Sequence, residues 1–221
     1  MSNRSVLLSV ALCALAVVAV IPVSASAAPQ LTYPTGTRLA AESKVTGTNV
    51  GSVKFTTSSF TADCNPVVLT GSLASNSGTA MELSVTSASF TGTGSGGDCT
   101  SGLGDVRITS NPATNGLPWC IRATSGMSPD EFRIRGNSCT NAVRPLRFVL
   151  DFTSPVLECI YEKIGEIAGS FTTEPEDARL SISGSFEKLE GGFLCPTTMS
   201  LDMTVTLEAD TSSSSDPMYI S

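Results

Sequence analysis

Asn115-Gly-Leu-Pro-Trp-Cys-Ile-Arg-Ala-Thr124 and Phe132-Arg-Ile-Arg-Gly-Asn-Ser-Cys139 are taken together as the two strands of one hairpin. They hold the only Trp of the chain, two cysteines and three arginines. Side chains alternate between faces along a strand. Trp119, Ile121 and Ala123 therefore share one face of the first strand, and Cys120, Arg122 and Thr124 the other. In the second strand Phe132, Ile134 and Gly136 share a face, opposite Arg133, Arg135, Asn137 and Cys139. With Cys120 directly opposite Cys139 the apolar faces coincide, and Arg122, Arg133 and Arg135 share the outer face with a Cys120–Cys139 disulfide. Burying each apolar side chain stabilises by roughly 1.5–3 kcal/mol, whereas a buried unpaired arginine costs several. The apolar face is thus expected inside, with Trp119 as a core anchor. Ser125-Gly-Met-Ser-Pro-Asp-Glu131 has the Gly and Pro-Asp of a turn-rich connection.

The same period of two recurs on both sides. Val53 and Phe55, Val67 and Leu69, Met81 with Leu83 and Val85, and Val106 with Ile108 alternate with small polar residues. After Val85 the phase shifts to Ala88 and Phe90, which predicts a bulge near Thr86-Ser87. Phe148, Leu150 and Phe152 follow, then Leu180, Ile182, Gly184 and Phe186. The cleanest case sets Met199, Leu201, Met203, Val205 and Leu207 against Ser200, Asp202, Thr204, Thr206 and Glu208. One face is buried and one wet, as in antiparallel sheets. Cys159 to Ala168 is expected as a strand with a bulge, because Gly165 and Gly169 weaken a helix there. The form apolar-x-Gly-Ser-apolar occurs at Leu69–Leu73, Ile167–Phe171 and Ile182–Phe186. It puts a glycine on the inward face, where a bulky neighbour can pack against the backbone. The fold class expected is all-β, a single antiparallel β-sandwich with little helix, over residues 28–209.

Arg4, the apolar run from Ser5 to Val23 and Ala25-Ser26-Ala27 read as a secretory signal peptide over residues 1–27. Cys13 lies inside the apolar run and is discarded with it. No stable membrane anchor is expected after cleavage. Six cysteines remain, Cys64, Cys99, Cys120, Cys139, Cys159 and Cys195, an even count that implies disulfides in an oxidising compartment. Six allow 15 connectivities. Nearest-neighbour pairing, with separations of 35, 19 and 36 residues, is the expectation. Loss of Arg4 leaves 12 basic against 20 acidic residues, a net charge of −8. An acidic secreted chain argues against nucleic acid as a partner. The Ser-rich stretch 210–221 is expected as a disordered tail.

The chain has no His, which removes Ser-His-Asp, Cys-His and His-based metal chemistry. No cofactor is expected. Asp98 and Asp105 flank Gly-rich turns and could hold Ca²⁺, but ordinary turn roles explain them as well. Glu174-Pro-Glu-Asp177 reads as a solvated acidic turn. Charge is divided unevenly. Residues 107–147 carry six arginines against Asp130 and Glu131, and residues 158–216 carry twelve acids against Lys163, Arg179 and Lys188. Cross-strand pairing between the two halves is one reading. An anion-binding face at Arg122, Arg133 and Arg135 is the other.

Cys64, Leu69-Thr-Gly-Ser-Leu73, Ala88-Ser-Phe-Thr-Gly92, Cys99, Leu117-Pro-Trp119 and Cys139 form a series that resembles a group of secreted bacterial proteins. The Thr-Gly-Ser, Ala-Ser-Phe-Thr-Gly and Leu-Pro-Trp elements are similar to those of small secreted activators of alkane oxidation. That resemblance implies an all-β fold and supplies no catalytic residue. The chain departs from those activators in having more cysteines and a longer C-terminal half. The expected function is a secreted or envelope-associated, non-catalytic protein that binds or structures an extracellular or cell-envelope ligand. The alternative is a secreted carboxylate-dependent hydrolase such as a glycosidase, which needs two facing carboxylates in a cleft.

Overall fold

Met199, Leu201, Met203, Val205 and Leu207 are all buried along β15 (Thr198–Asp210). β15 pairs antiparallel with β14 (Asp177–Gly191), from Ala178↔Leu207 to Glu187↔Thr198. This long hairpin is the axis of the molecule. The computed structural model describes residues 27–110, 116–174, 177–210 and 215–220. The expected signal peptide up to residue 26, with Cys13, therefore lies outside the described residues. So do Asn115, Pro175 and Glu176 of the acidic turn, and residues 211–214 and 221 of the tail.

Before the hairpin come β1 (Leu31–Thr32), β2 (Lys44–Asn49), β3 (Val53–Thr57), β4 (Thr61–Cys64), β5 (Val67–Asn76) and β6 (Ala80–Phe90). A 3₁₀ turn at Ser95–Gly97 leads to β7 (Cys99–Ser101), β8 (Gly104–Thr109), β9 (Trp119–Thr124) and β10 (Glu131–Gly136). β11 (Leu146–Thr153), β12 (Val156–Lys163) and β13 (Ile167–Glu174) complete the approach; β16 (Ser215–Pro217) and β17 (Tyr219–Ile220) follow the hairpin. The first half of β14 pairs with β13 and the second half with β12. β15 likewise pairs with β2 at one end and β3 at the other. One circuit runs β15-β2-β5-β6-β9-β10-β13-β14, and a second runs β14-β12-β11-β8-β7-β4-β3-β15. The product is an all-β antiparallel sandwich whose two groups of strands are joined through the shared hairpin.

The inward faces form one apolar cluster. Phe148 sits at its centre, with Phe55, Phe90, Trp119 and Phe186 at ring distances of 5.3, 5.8, 5.6 and 5.2 Å. The predicted bulge is present: Thr70 pairs with Ser87 and Gly71 with Val85, so Thr86 is the extra residue. The recurring glycines have distinct neighbours. A Cβ on Gly169 would stand 2.2 Å from the Phe132 ring, and one on Gly184 would stand 2.8 Å from Ile167. At Gly71 the obstacle is the backbone oxygen of Ser84, at the bulge.

Three expectations are corrected. Cys120 lies opposite Arg135, not opposite Cys139, which belongs to the following loop. The offset is four residues, an even number, so the side chains from Phe132 to Gly136 keep their expected faces. Cys159 to Ala168 is not one bulged strand: β12 ends at Lys163, Gly165 turns at φ 87°, and β13 starts at Ile167. The irregularity next to β12 comes from Leu189, an extra residue on β14. The tail is not disordered over 215–220. β16 pairs with β15, Tyr219–Ile220 pairs with Leu31–Thr32, and Met218 is buried. Ser-rich composition hid two apolar anchors there, Met218 and Ile220.

Those terminal segments close one end of the first circuit. Leu31, Leu39 and Met218 are buried under the β1–β17 pair. The buried Asn76 side chain holds them: its carbonyl accepts the Leu31 N–H (3.0 Å) and its amide donates to Leu31 O (2.8 Å) and Leu39 O (2.9 Å). Asn76→Ala removes all three bonds. The Leu31 carbonyl keeps the Leu39 N–H (3.0 Å), but the Leu31 N–H and the Leu39 carbonyl lose the amide, so the change is expected to cost about 2–3 kcal/mol in a denaturant titration. An unchanged midpoint would mean water replaces the amide.

Tyr161 is wholly buried, and burial pushes its phenol up to about 12. Its hydroxyl has no hydrogen-bond partner among the described residues. A raised folded-state value leaves stability intact below the unfolded value near 10 and removes it as pH climbs toward 12. About 2–3 kcal/mol is expected to be lost over that window. Tyr161→Phe should abolish that part of the alkaline transition while leaving neutral stability unchanged or slightly higher. Alkaline melts followed by circular dichroism measure both.

Candidate functional site

The outer face of β9 and β10 places Arg122, Arg133 and Arg135 as the alternation requires. Arg122 and Arg133 are cross-strand neighbours, with side chains 47 % and 41 % exposed. Each is already engaged. Arg122 Nε stands 2.9 Å from Glu82 of β6, directly opposite it, and Arg133 pairs with Glu131. Arg135 donates from Nη2 to the Cys139 carbonyl at 2.8 Å, so it fastens the disulfide loop to the sheet. Further along, Arg107 meets Asp98 at 3.2 Å and Arg147 meets Glu162 at 2.9 Å. Among these ion pairs only Arg147–Glu162 joins the arginine-rich and acid-rich halves. The others use acids within or before the arginine-rich half.

The two turn aspartates are occupied by the backbone and by Arg107. Asp98 is buried against that guanidinium, and Asp105 accepts the Ser95 N–H at 3.0 Å. Among the described residues no three His, Cys, Asp or Glu side chains converge.

An open trough of about 410 Å³ lies across β13, β14 and β15. Short side chains make its floor. Ser170, Ser181 and Thr204 stand in one cross-strand row, with Ser181 and Thr204 hydroxyls 3.3 Å apart. The Ser183 hydroxyl donates to Asp202 at 2.7 Å. Register puts Arg133 beside Ala168 and Glu131 beside Ser170 along one flank, and Lys54 beside Asp202 along the other. Of the three arginines, Arg133 is thus the one brought to the trough. Asp202 and its hydroxyl neighbours were legible in the sequence only as the wet face of alternating strands. Nothing in the spacing sets them apart from other outward Ser and Thr. A smaller groove of about 170 Å³ has Glu162 and Glu187 directly opposite one another, with Ile164 and Leu189 beside them. Two spaces within the apolar core measure about 10 Å³ each, the size of a single water.

An apolar core, antiparallel pairing and an open outer trough define a disulfide-braced all-β protein. Three disulfides fit an oxidising compartment, and among the described residues no helix is long and apolar enough to cross a membrane. No family model matches the chain, and neither a curated protein nor a solved structure matches it.

Proposed function

We propose that this is a secreted or envelope-associated binding protein without catalytic activity, and that its ligand is a hydroxyl-rich extracellular chain such as a wall glycan. The trough carries this reading. Its volume is that of a ligand site. It presents a row of hydroxyls and one carboxylate, groups that donate to and accept from sugar hydroxyls. Asp202 is its single acid and is held by Ser183, so the trough lacks the facing acid pair that glycoside hydrolysis requires. The hydrolase reading draws on the Glu162–Glu187 pair instead, although Glu162 is committed to Arg147.

Calorimetric titration with soluble wall-glycan fragments and with an anionic polysaccharide tests the proposal. Asp202→Ala is expected to weaken binding about tenfold, the loss of a charge-assisted hydrogen bond, without changing stability. Binding that is indifferent to Asp202→Ala would discard the trough. Turnover of a glycoside that disappears in Glu162→Gln or Glu187→Gln would establish the hydrolase.

A further inference from the structure

Phe193 is 94 % exposed and Val156 is 91 % exposed. Phe193 and Leu194 occupy the turn between β14 and β15, and Val156 opens β12. Cys159 pairs with Gly191, so register brings all three to the same end of the sheet. The turn is held at several points. Cys195 is bonded to Cys159, its N–H donates to Gly192 O (3.1 Å), and its carbonyl accepts from Lys188 Nζ (3.0 Å). Gly191 has φ 128°, and a Cβ there would lie 2.5 Å from Cys195 Sγ. This much construction presents an aromatic side chain to water rather than burying it. Rigid presentation lowers the entropy lost on association, and aromatic anchors dominate the energetics of interfaces.

Charge identifies the occupant. Asp151 and Glu158 are directly opposite on β11 and β12, and Glu190 faces Ile160 across β12 and β14. All three are exposed on the outer face that Val156 shares. None forms an ion pair among the described residues. Arg107, opposite Asp151 in the ladder, gives its Nε to Asp98 instead. An apolar crest beside three uncompensated carboxylates suits a partner that is both apolar and cationic, and repels an anionic bilayer. β11 and β12 are each paired on both edges, so the partner cannot add a strand there and must lie on the face. We propose that the outer face of β11, β12 and β14, with the Phe193 turn, docks a basic amphipathic segment of another protein. This is independent of what the trough binds.

The probe is a fluorescein-labelled synthetic helix of Leu and Lys, with a Leu and Glu helix as control, followed by anisotropy at two salt concentrations. The oxidised protein is expected to bind the Lys helix, more weakly at high salt, and to ignore the Glu helix. Phe193→Ser should weaken binding about tenfold or more, with an unchanged denaturation midpoint because the side chain is exposed. Glu158→Gln with Glu190→Gln should weaken it several-fold and flatten the salt dependence. Absence of binding by the parent, or equal binding by Phe193→Ser, overturns the proposal. Phe193-dependent binding to phosphatidylcholine vesicles in preference to the helix overturns it in favour of lipid. Phe193-dependent sedimentation as a dimer without the helix overturns it in favour of a second copy.

Discussion

Reduction of the three disulfides is expected to unfold the chain under conditions where the oxidised protein is folded. They join Cys64 to Cys99, Cys120 to Cys139 and Cys159 to Cys195, over separations of 35, 19 and 36 residues. Each closure is worth roughly 3–4 kcal/mol in the chain-entropy account. Net stabilities of domains are about 5–15 kcal/mol, so losing all three removes an amount of the same size. The bridges also stand where the ladder is weakest. Cys64 and Cys99 join β4 to β7, which share two residue pairs, and the other two tie loops onto strands. All six cysteines are buried, so the reductant acts fully only once the fold opens. Guanidinium titrations followed by Trp119 fluorescence, with and without reductant, provide the measurement. A midpoint that does not move would show that the apolar core alone holds the sandwich.

Trp119→Ala is expected to cost about 3–5 kcal/mol, the most of any single large-to-small change. The indole is 2 % exposed and lies against Phe148, the ring on which four other aromatic side chains converge. It also borders one of the two small interior spaces, together with Ile134, Phe186 and Met203. Alanine would enlarge that space into a cavity whose lining belongs to both circuits, so collapse around it is restricted. Trp119 Nε1 has no hydrogen-bond partner among the described residues. Trp119→Phe therefore removes volume only, and a loss of about 1–2 kcal/mol is expected. Far-UV circular dichroism in urea reports both variants, since the single Trp is gone. Equal losses for Ala and Phe would point to a polar role for the indole.

The hairpin at Trp119 illustrates how much was legible. Its inward and outward faces follow from alternation alone, and they survive the four-residue error in register because that error is even. The Thr86 bulge was visible as a phase slip, and the nearest-neighbour disulfides as short separations. The arginine stripe was located correctly on the outer face, but its engagement was not. Glu82 reaches Arg122 because β6 lies beside β9, and Arg135 turns to Cys139 because the loop folds over the strand. Neither neighbour follows from the local pattern. The trough was illegible for the same reason: its floor comes from β13, β14 and β15, and outward Ser and Thr look alike on every strand.

What the sequence determined by itself is local and periodic: strand type, face, turns, bulge and cysteine economy, since side-chain direction repeats every two residues regardless of neighbours. Only the tertiary structure decided which strands are adjacent. β2 and β15 are paired across more than half the chain, and the ends of one long hairpin serve two different circuits. The tail was decided there too. Met218 and Ile220 gain nothing in isolation and become ordered because the end of the first circuit offers apolar surface and a free β1 edge to bind them. The exposed Phe193 turn was decided by the same geometry: the hairpin carries it past Cys159↔Gly191, the last pair that β14 makes with β12.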